Sequence, residues 1–109
     1  MAEDLISELS AKTALLDKAV YQLGIRGRNY AQAERDYRVA LSKRILEHRA
    51  EGMPVTIISD VCRGEPQIAQ LRLERDIAET VYKSAIEAIN SYKLQIRILD
   101  AQVEREWRG

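Results

Sequence analysis

Apolar residues recur along this chain at steps of three and four and hardly anywhere at steps of two, which is the spacing of amphipathic helices rather than half-buried strands. Between residues 3 and 23 the stripe runs through Leu5, Leu9, Leu16, Val20 and Leu23, widened by Ile6, Thr13 and Ala19. Gly24 and Gly27, with Arg26 between them and Asn29 after, interrupt it and predict a break. A second stripe of Tyr30, Ala33, Tyr37, Leu41, Ile45 and His48 predicts a helix over about 28–50, stopped by Gly52. Residues 66–108 hold the most regular pattern. Ile68, Leu71, Arg75, Ala78, Tyr82, Ala85, Ile89, Tyr92, Ile96, Leu99 and Val103 alternate three and four apart, the heptad spacing of a left-handed packing seam, with Arg75 as its one charged member. Val81, Ala88, Ile77 and Ile86 widen that face, and Asn90-Ser91 is its one weak point.

Residues 52–64, between the second and third patterns, lose the helical spacing but keep Val55, Ile57, Ile58 and Val61. They predict an ordered apolar loop folded back as a plug over the helix ends, with a short helical turn at 57–62 capped by Thr56 and stopped by Gly64. Pro66 then opens the last helix. A short strand over 55–58 is the alternative, and it lacks a partner strand. The last helix would be about 65 Å long at 1.5 Å per residue, and the first two, about 30 and 36 Å, match it if laid end to end. The expected fold class is therefore all-α: an elongated antiparallel helical hairpin or three-helix coiled-coil-like bundle forming one domain, with its first arm broken near Gly24 to Gly27. A two-layer hairpin leaves part of so wide a stripe uncovered, so self-association, a dimer first, is expected.

The composition removes several functional classes. The 109 residues are 46% hydrophobic and 31% charged, and 17 Lys+Arg balance 17 Asp+Glu for a formal net charge of zero. No long-range field draws a polyanion, and a dedicated duplex-DNA binder is usually more basic. One Cys and one His cannot build a structural zinc site or a disulfide within a subunit, which suits a reducing cytoplasm. The acidic opening Met1-Ala2-Glu3-Asp4 predicts no export signal, and the apolar runs are too short to cross a membrane.

Few residues invite chemistry. Arg26, Arg28, Arg35, Arg38 and Arg44 with Tyr30 and Tyr37 interleaved are the candidate nucleic-acid contacts, set against pairing with Glu34, Asp36 and Glu47. A guanidinium at seam position 75 needs a carboxylate such as Asp36 or Glu34, water, or a second subunit. Cys62 and His48 can meet in the fold but carry no catalytic motif, and no phosphate loop, metal-binding His pair or nucleophile elbow occurs. Trp107, the sole tryptophan, either seals an end of the hairpin, the favoured reading, or is an exposed partner anchor. The candidate partner contacts are Val55, Ile57, Ile58, Val61 and Trp107.

The run Tyr30-Ala31-Gln32-Ala33-Glu34-Arg35-Asp36-Tyr37-Arg38, Gly52-Met53-Pro54-Val55-Thr56, the Arg75-Asp76 pair with Tyr82-Lys83, and Arg105-Glu106-Trp107 together resemble small all-helical proteins encoded by phages and prophages of Gram-positive bacteria. The likeness is one of overall texture across most of the chain. It implies a tie to phage replication or recombination and transfers no catalytic residue. The outline is also that of small secreted WxG-type proteins, but the loop here has no Trp-x-Gly. The expected function is a non-enzymatic helical interaction or modulator module in the cytoplasm of a bacterial host. It would need no cofactor or metal and would bind a second copy of itself and a host or phage protein. The alternatives are an accessory nucleic-acid-binding protein and a structural subunit of a phage particle.

Overall fold

The structure, a computed structural model, describes residues 2–109. It contains three helices and, among the described residues, no strand: α1 Ala2–Ala50, α2 Val55–Arg63 and α3 Pro66–Arg108. The chain is an all-α helical hairpin. It divides into two compact units, the first joining the chain up to Arg26 with Tyr82–Gly109 and the second comprising Gly27–Val81. In each unit α1 and α3 run antiparallel. Asp4 and Glu8 share a cleft with Gln102 and Arg105 in the first unit. In the second, Glu34 meets Arg75 and Arg44 meets Glu65.

The expected break at Gly24 to Gly27 does not form, and α1 is one helix of 49 residues. Two interior glycines cost it only about 1 kcal/mol each relative to alanine. What outweighs them is register. Leu5, Leu9, Leu16, Ala19 and Leu23 are half-buried, and Gly27, Tyr30, Tyr37 and Leu41 continue the same three-four spacing without a phase slip. A helix whose stripe stays in phase on both sides of the glycines keeps its packing only by remaining helical. Val20, read as part of the stripe, is half exposed because Ala19 holds the inward position. Acidic Glu3 and Asp4 in the first turn and His48 and Arg49 in the last complement the helix dipole.

Gly52 ends α1. Its φ of 88° lies in the left-handed region, its N–H donates to Arg49 O at 3.1 Å, and Met53 N–H donates to His48 O at 3.0 Å. This is a Schellman turn, and it drops Met53 onto the core. α2 then starts at Val55, one turn-position too early for Thr56 to cap it. Pro54 is the cap residue, and no side chain bonds to the helix start. The strand alternative is excluded by this helix, which is longer than the turn predicted at 57–62. It closes at Gly64, whose N–H donates to Asp60 O and Val61 O at 3.2 Å, and Pro66 opens α3 where its missing N–H is not needed. α3 passes unbroken through Asn90-Ser91.

The core is thin. Tyr37, Leu41, Ile58, Cys62 and Ile68 form its main cluster, with Ala40, Ile45, Met53 and Leu71 against it. All of these lie in the second unit, where three helices meet rather than two. Ile89 and Leu99 are the buried apolar side chains of the first unit among the described residues.

Candidate functional site

The second unit holds two polar clusters that join different helices, and α2 is the reason. Ile58 and Cys62, one turn apart, point inward and are 1% and 0% exposed. The plug therefore rests on these two side chains, with Met53 packed beside them. Val55, Ile57 and Val61 stay outside at 72%, 47% and 39% exposure. Ile58 is thus removed from the candidate partner contacts, and Cys62, read only as a candidate thiol, is instead a core residue. A nine-residue helix carrying apolar groups on both faces has one face packed and one uncovered.

Where α1 ends, α2 ends and α3 begins, a polar joint ties the three helices. The Arg44 guanidinium bridges both Glu65 oxygens, with Nε 3.1 Å from each and Nη2 2.6 Å from Oε2, and its Nη1 pairs with Glu47. Nη2 also donates to His48 Nε2 at 2.9 Å. A guanidinium cannot accept, so Nε2 is the acceptor and a neutral His48 carries its proton on Nδ1. That Nδ1 is buried, makes no hydrogen bond, and faces the Glu51 carboxylate at 3.5 Å. The hydrogen bond from Arg44 holds the Glu65 carboxyl below its usual range, and the Glu65 and Glu47 carboxylates raise the pKa of Arg44.

His48, Cys62 and Glu65 also bring one nitrogen, one sulfur and one oxygen within 4.8 Å of one another. The lone cysteine and lone histidine, dismissed as a metal pair on their number, do meet, with a carboxylate as third member. The donors are already engaged by a cation, however, since Arg44 occupies both Glu65 oxygens and the Nε2 lone pair. Burial pushes the Cys62 thiol pKa up, away from the thiolate that a metal or a substrate would need. The cluster works as an ion-pair joint between helix ends. Arg44, read as a candidate nucleic-acid contact, is engaged within the fold by Glu65 and Glu47. Its partner Glu65 lies 21 residues away in sequence, beyond the reach of any reading of a single helix face.

Arg75 finds Glu34, as its seam position required, with Nη1 3.4 Å from Oε2, and it also binds its neighbour Asp76 through Nε at 3.0 Å and Nη2 at 2.8 Å. Its guanidinium lies 4.7 Å over the Tyr37 ring, a cation–π contact. Asp36 instead accepts from Gln32. The Asp76 hydrogen bond, aided by Glu34, raises the Arg75 pKa, while Arg38 and Arg75 together lower that of Glu34. Around this group Arg38, Arg63 and Arg72 line a cleft with Arg75, Tyr37 and Leu41. Arg63 and Arg72 were invisible as site residues in sequence because they belong to different helices.

Along the predicted seam Ile68, Ile89 and Leu99 are buried, and Leu71, Arg75, Ala78, Tyr82, Ala85, Tyr92, Ile96 and Val103 are half-buried. Arg26 lies apart from the rest of the expected arginine face. Arg26 and Arg28 are two residues apart on a continuous helix, hence about 200° around it, and Arg38 pairs with Glu34 at 2.6 Å through its Nε. Arg28 and Arg35 remain exposed on one side. Trp107 is 73% exposed, so it seals nothing. No helix among the described residues is long and apolar enough to cross a membrane. No family model, curated protein or solved structure matches the chain.

Proposed function

We propose that this chain is a non-enzymatic helical module that acts through protein contacts, docking by the outward face of α2, with a second copy of itself as the occupant of that face. The observation that carries this reading is the exposure of Ile57 and Val61, one turn apart on the side of α2 turned away from the packed Ile58 and Cys62, while Val55, in line with Cys62, is exposed at the helix start. A linker needs no such residues, and solvent gives no reason to place three there. The zero net charge removes the repulsion that would keep copies apart. Cys62 is inaccessible, and Glu65 and His48 are bound by Arg44. By the likeness to phage-encoded helical proteins, further partners are host or phage proteins.

Covering Ile57 and Val61 on two copies removes the equivalent of a little under two large apolar groups from water, a gross gain of about 3–5 kcal/mol. That is comparable with the cost of association, so the dimer is weak and concentration-dependent. Sedimentation equilibrium over a wide concentration range tests this. The native chain is expected to pass from monomer to dimer mass, and an Ile57→Glu, Val61→Glu double variant to remain monomeric with unchanged helix content. A native chain that stays monomeric at every soluble concentration refutes the reading.

A further inference from the structure

Four arginines reach one cleft of the second unit from all three of its helices: Arg38 from α1, Arg63 from α2, and Arg72 and Arg75 from α3. We propose that this cleft, of about 280 Å³ over a floor of Tyr37 and Leu41, binds a compact, multiply charged phosphoryl group, the terminal phosphate or pyrophosphate of a phosphorylated ligand.

The chain as a whole is neutral, so this concentration of positive charge is made by the fold and not by composition. Like charges brought together raise each other's energy unless something negative sits among them. The acids in contact fall short of that. Glu34 serves Arg38 and Arg75 together, Asp76 serves Arg75, and Asp60 lies 3.8 Å from Arg63, too far for a hydrogen bond. Arg72 has no hydrogen bond or ion pair with any described residue, and Arg38 engages Glu34 through Nε alone, leaving both terminal nitrogens to donate. Arg75 is the opposite case. Only 17% exposed, it is held by Asp76 and Glu34 over the Tyr37 ring, so its donors are fixed before a ligand arrives and little side-chain freedom is lost on binding.

The arrangement also selects among anions. A nucleic-acid backbone presents a row of singly charged phosphodiesters and is met by a stripe of cations, whereas four guanidiniums around one cleft match one small group of high charge. The aromatic ring present cannot stack on a base, because Tyr37 is 5% exposed and covered by Arg75. Recognition therefore goes through phosphate. This inference stands independently of the dimer reading, which uses the apolar side chains of α2.

Titration calorimetry of the full chain with inorganic pyrophosphate, at low and at physiological salt, tests the site. Binding is expected at low salt, weakening steeply as salt rises. Arg72→Gln and Arg63→Gln are each expected to weaken it about tenfold, the loss of one charge-assisted contact. Arg72→Gln breaks no bond within the fold, and Arg26→Gln, outside the cleft, is expected to change nothing. Fluorescence anisotropy with matched 5′-phosphorylated and 5′-hydroxyl oligonucleotides distinguishes the source. A preference for the 5′-phosphate, competed by pyrophosphate, makes a polynucleotide end the ligand, and pyrophosphate binding with no such preference makes it a free phosphorylated molecule. The proposal is overturned by absence of pyrophosphate binding at low salt, by binding indifferent to Arg63→Gln and Arg72→Gln, or by oligonucleotide binding that neither needs the 5′-phosphate nor yields to pyrophosphate.

Discussion

Gly24→Ala and Gly52→Ala add the same methyl group to the same chain and are expected to move its stability in opposite directions. At Gly24 a Cβ would meet nothing within 4 Å, and the residue lies in the interior of α1. The substitution therefore yields the whole difference in helix propensity, about 1 kcal/mol of stabilisation, with no steric charge against it. For a chain of this size that is a rise in Tm of about 4–8 °C. Space is equally open at Gly52, but its φ of 88° forces an alanine into the left-handed region, at a cost of about 1–2 kcal/mol. Urea and thermal unfolding followed by far-ultraviolet circular dichroism measure both, with an unchanged denaturant slope as the sign that stability alone has moved. A Gly24→Ala variant that is neutral or less stable than the native chain would refute the continuous helix, because only a residue outside helical geometry fails to gain from alanine. Stabilisation by Gly52→Ala would likewise refute the Schellman turn.

The neighbours Ile57 and Ile58 divide the two faces of α2. Ile58→Ala is expected to cost about 3 kcal/mol as a core truncation, and Ile57→Ala under about 1 kcal/mol in the monomer, both read from urea midpoints. The Cys62 thiol is expected to react with an aromatic disulfide reagent only as fast as the structure opens and to react at once in denaturant; immediate labelling of the native chain would contradict its burial. Acid is expected to destabilise the second unit. The folded-state pKa values of Glu65 and Glu34 lie below their ordinary 4.5, so the unfolded chain takes up protons first, and the stability these carboxylates supply above that value is lost as pH falls through their depressed folded values. Glu65→Gln is expected to flatten that acid limb of the stability–pH curve, and an unchanged limb would count against the Arg44 pairing.

The α3 seam could be read from spacing because a heptad stripe is a one-dimensional signal, and any helix that carries it must turn that stripe toward a neighbour. Gly24 and Gly27 misled for the complementary reason. Glycine is a local cue worth about 1 kcal/mol, while the information that overrules it, the shared phase of Leu23 and Tyr30, spans two turns and is seen only when both stripes are placed on one helix. The arginines separate the two kinds of information further. Arg75 interrupted an apolar seam, so its need for a carboxylate, water or a second subunit was legible, and Glu34 supplies the first of these. Arg44 looked like a surface cation in company with Arg35 and Arg38, because its partner Glu65 belongs to the start of another helix. Arg63 and Arg72 join Arg38 only through the packing of α2 against the long pair. What a single-helix pattern cannot carry is the meeting of residues from three elements. Both polar constellations of this protein, the joint at Arg44 and the cleft around Arg75, are of that kind, and both exist because Ile58 and Cys62 anchor α2 where they do.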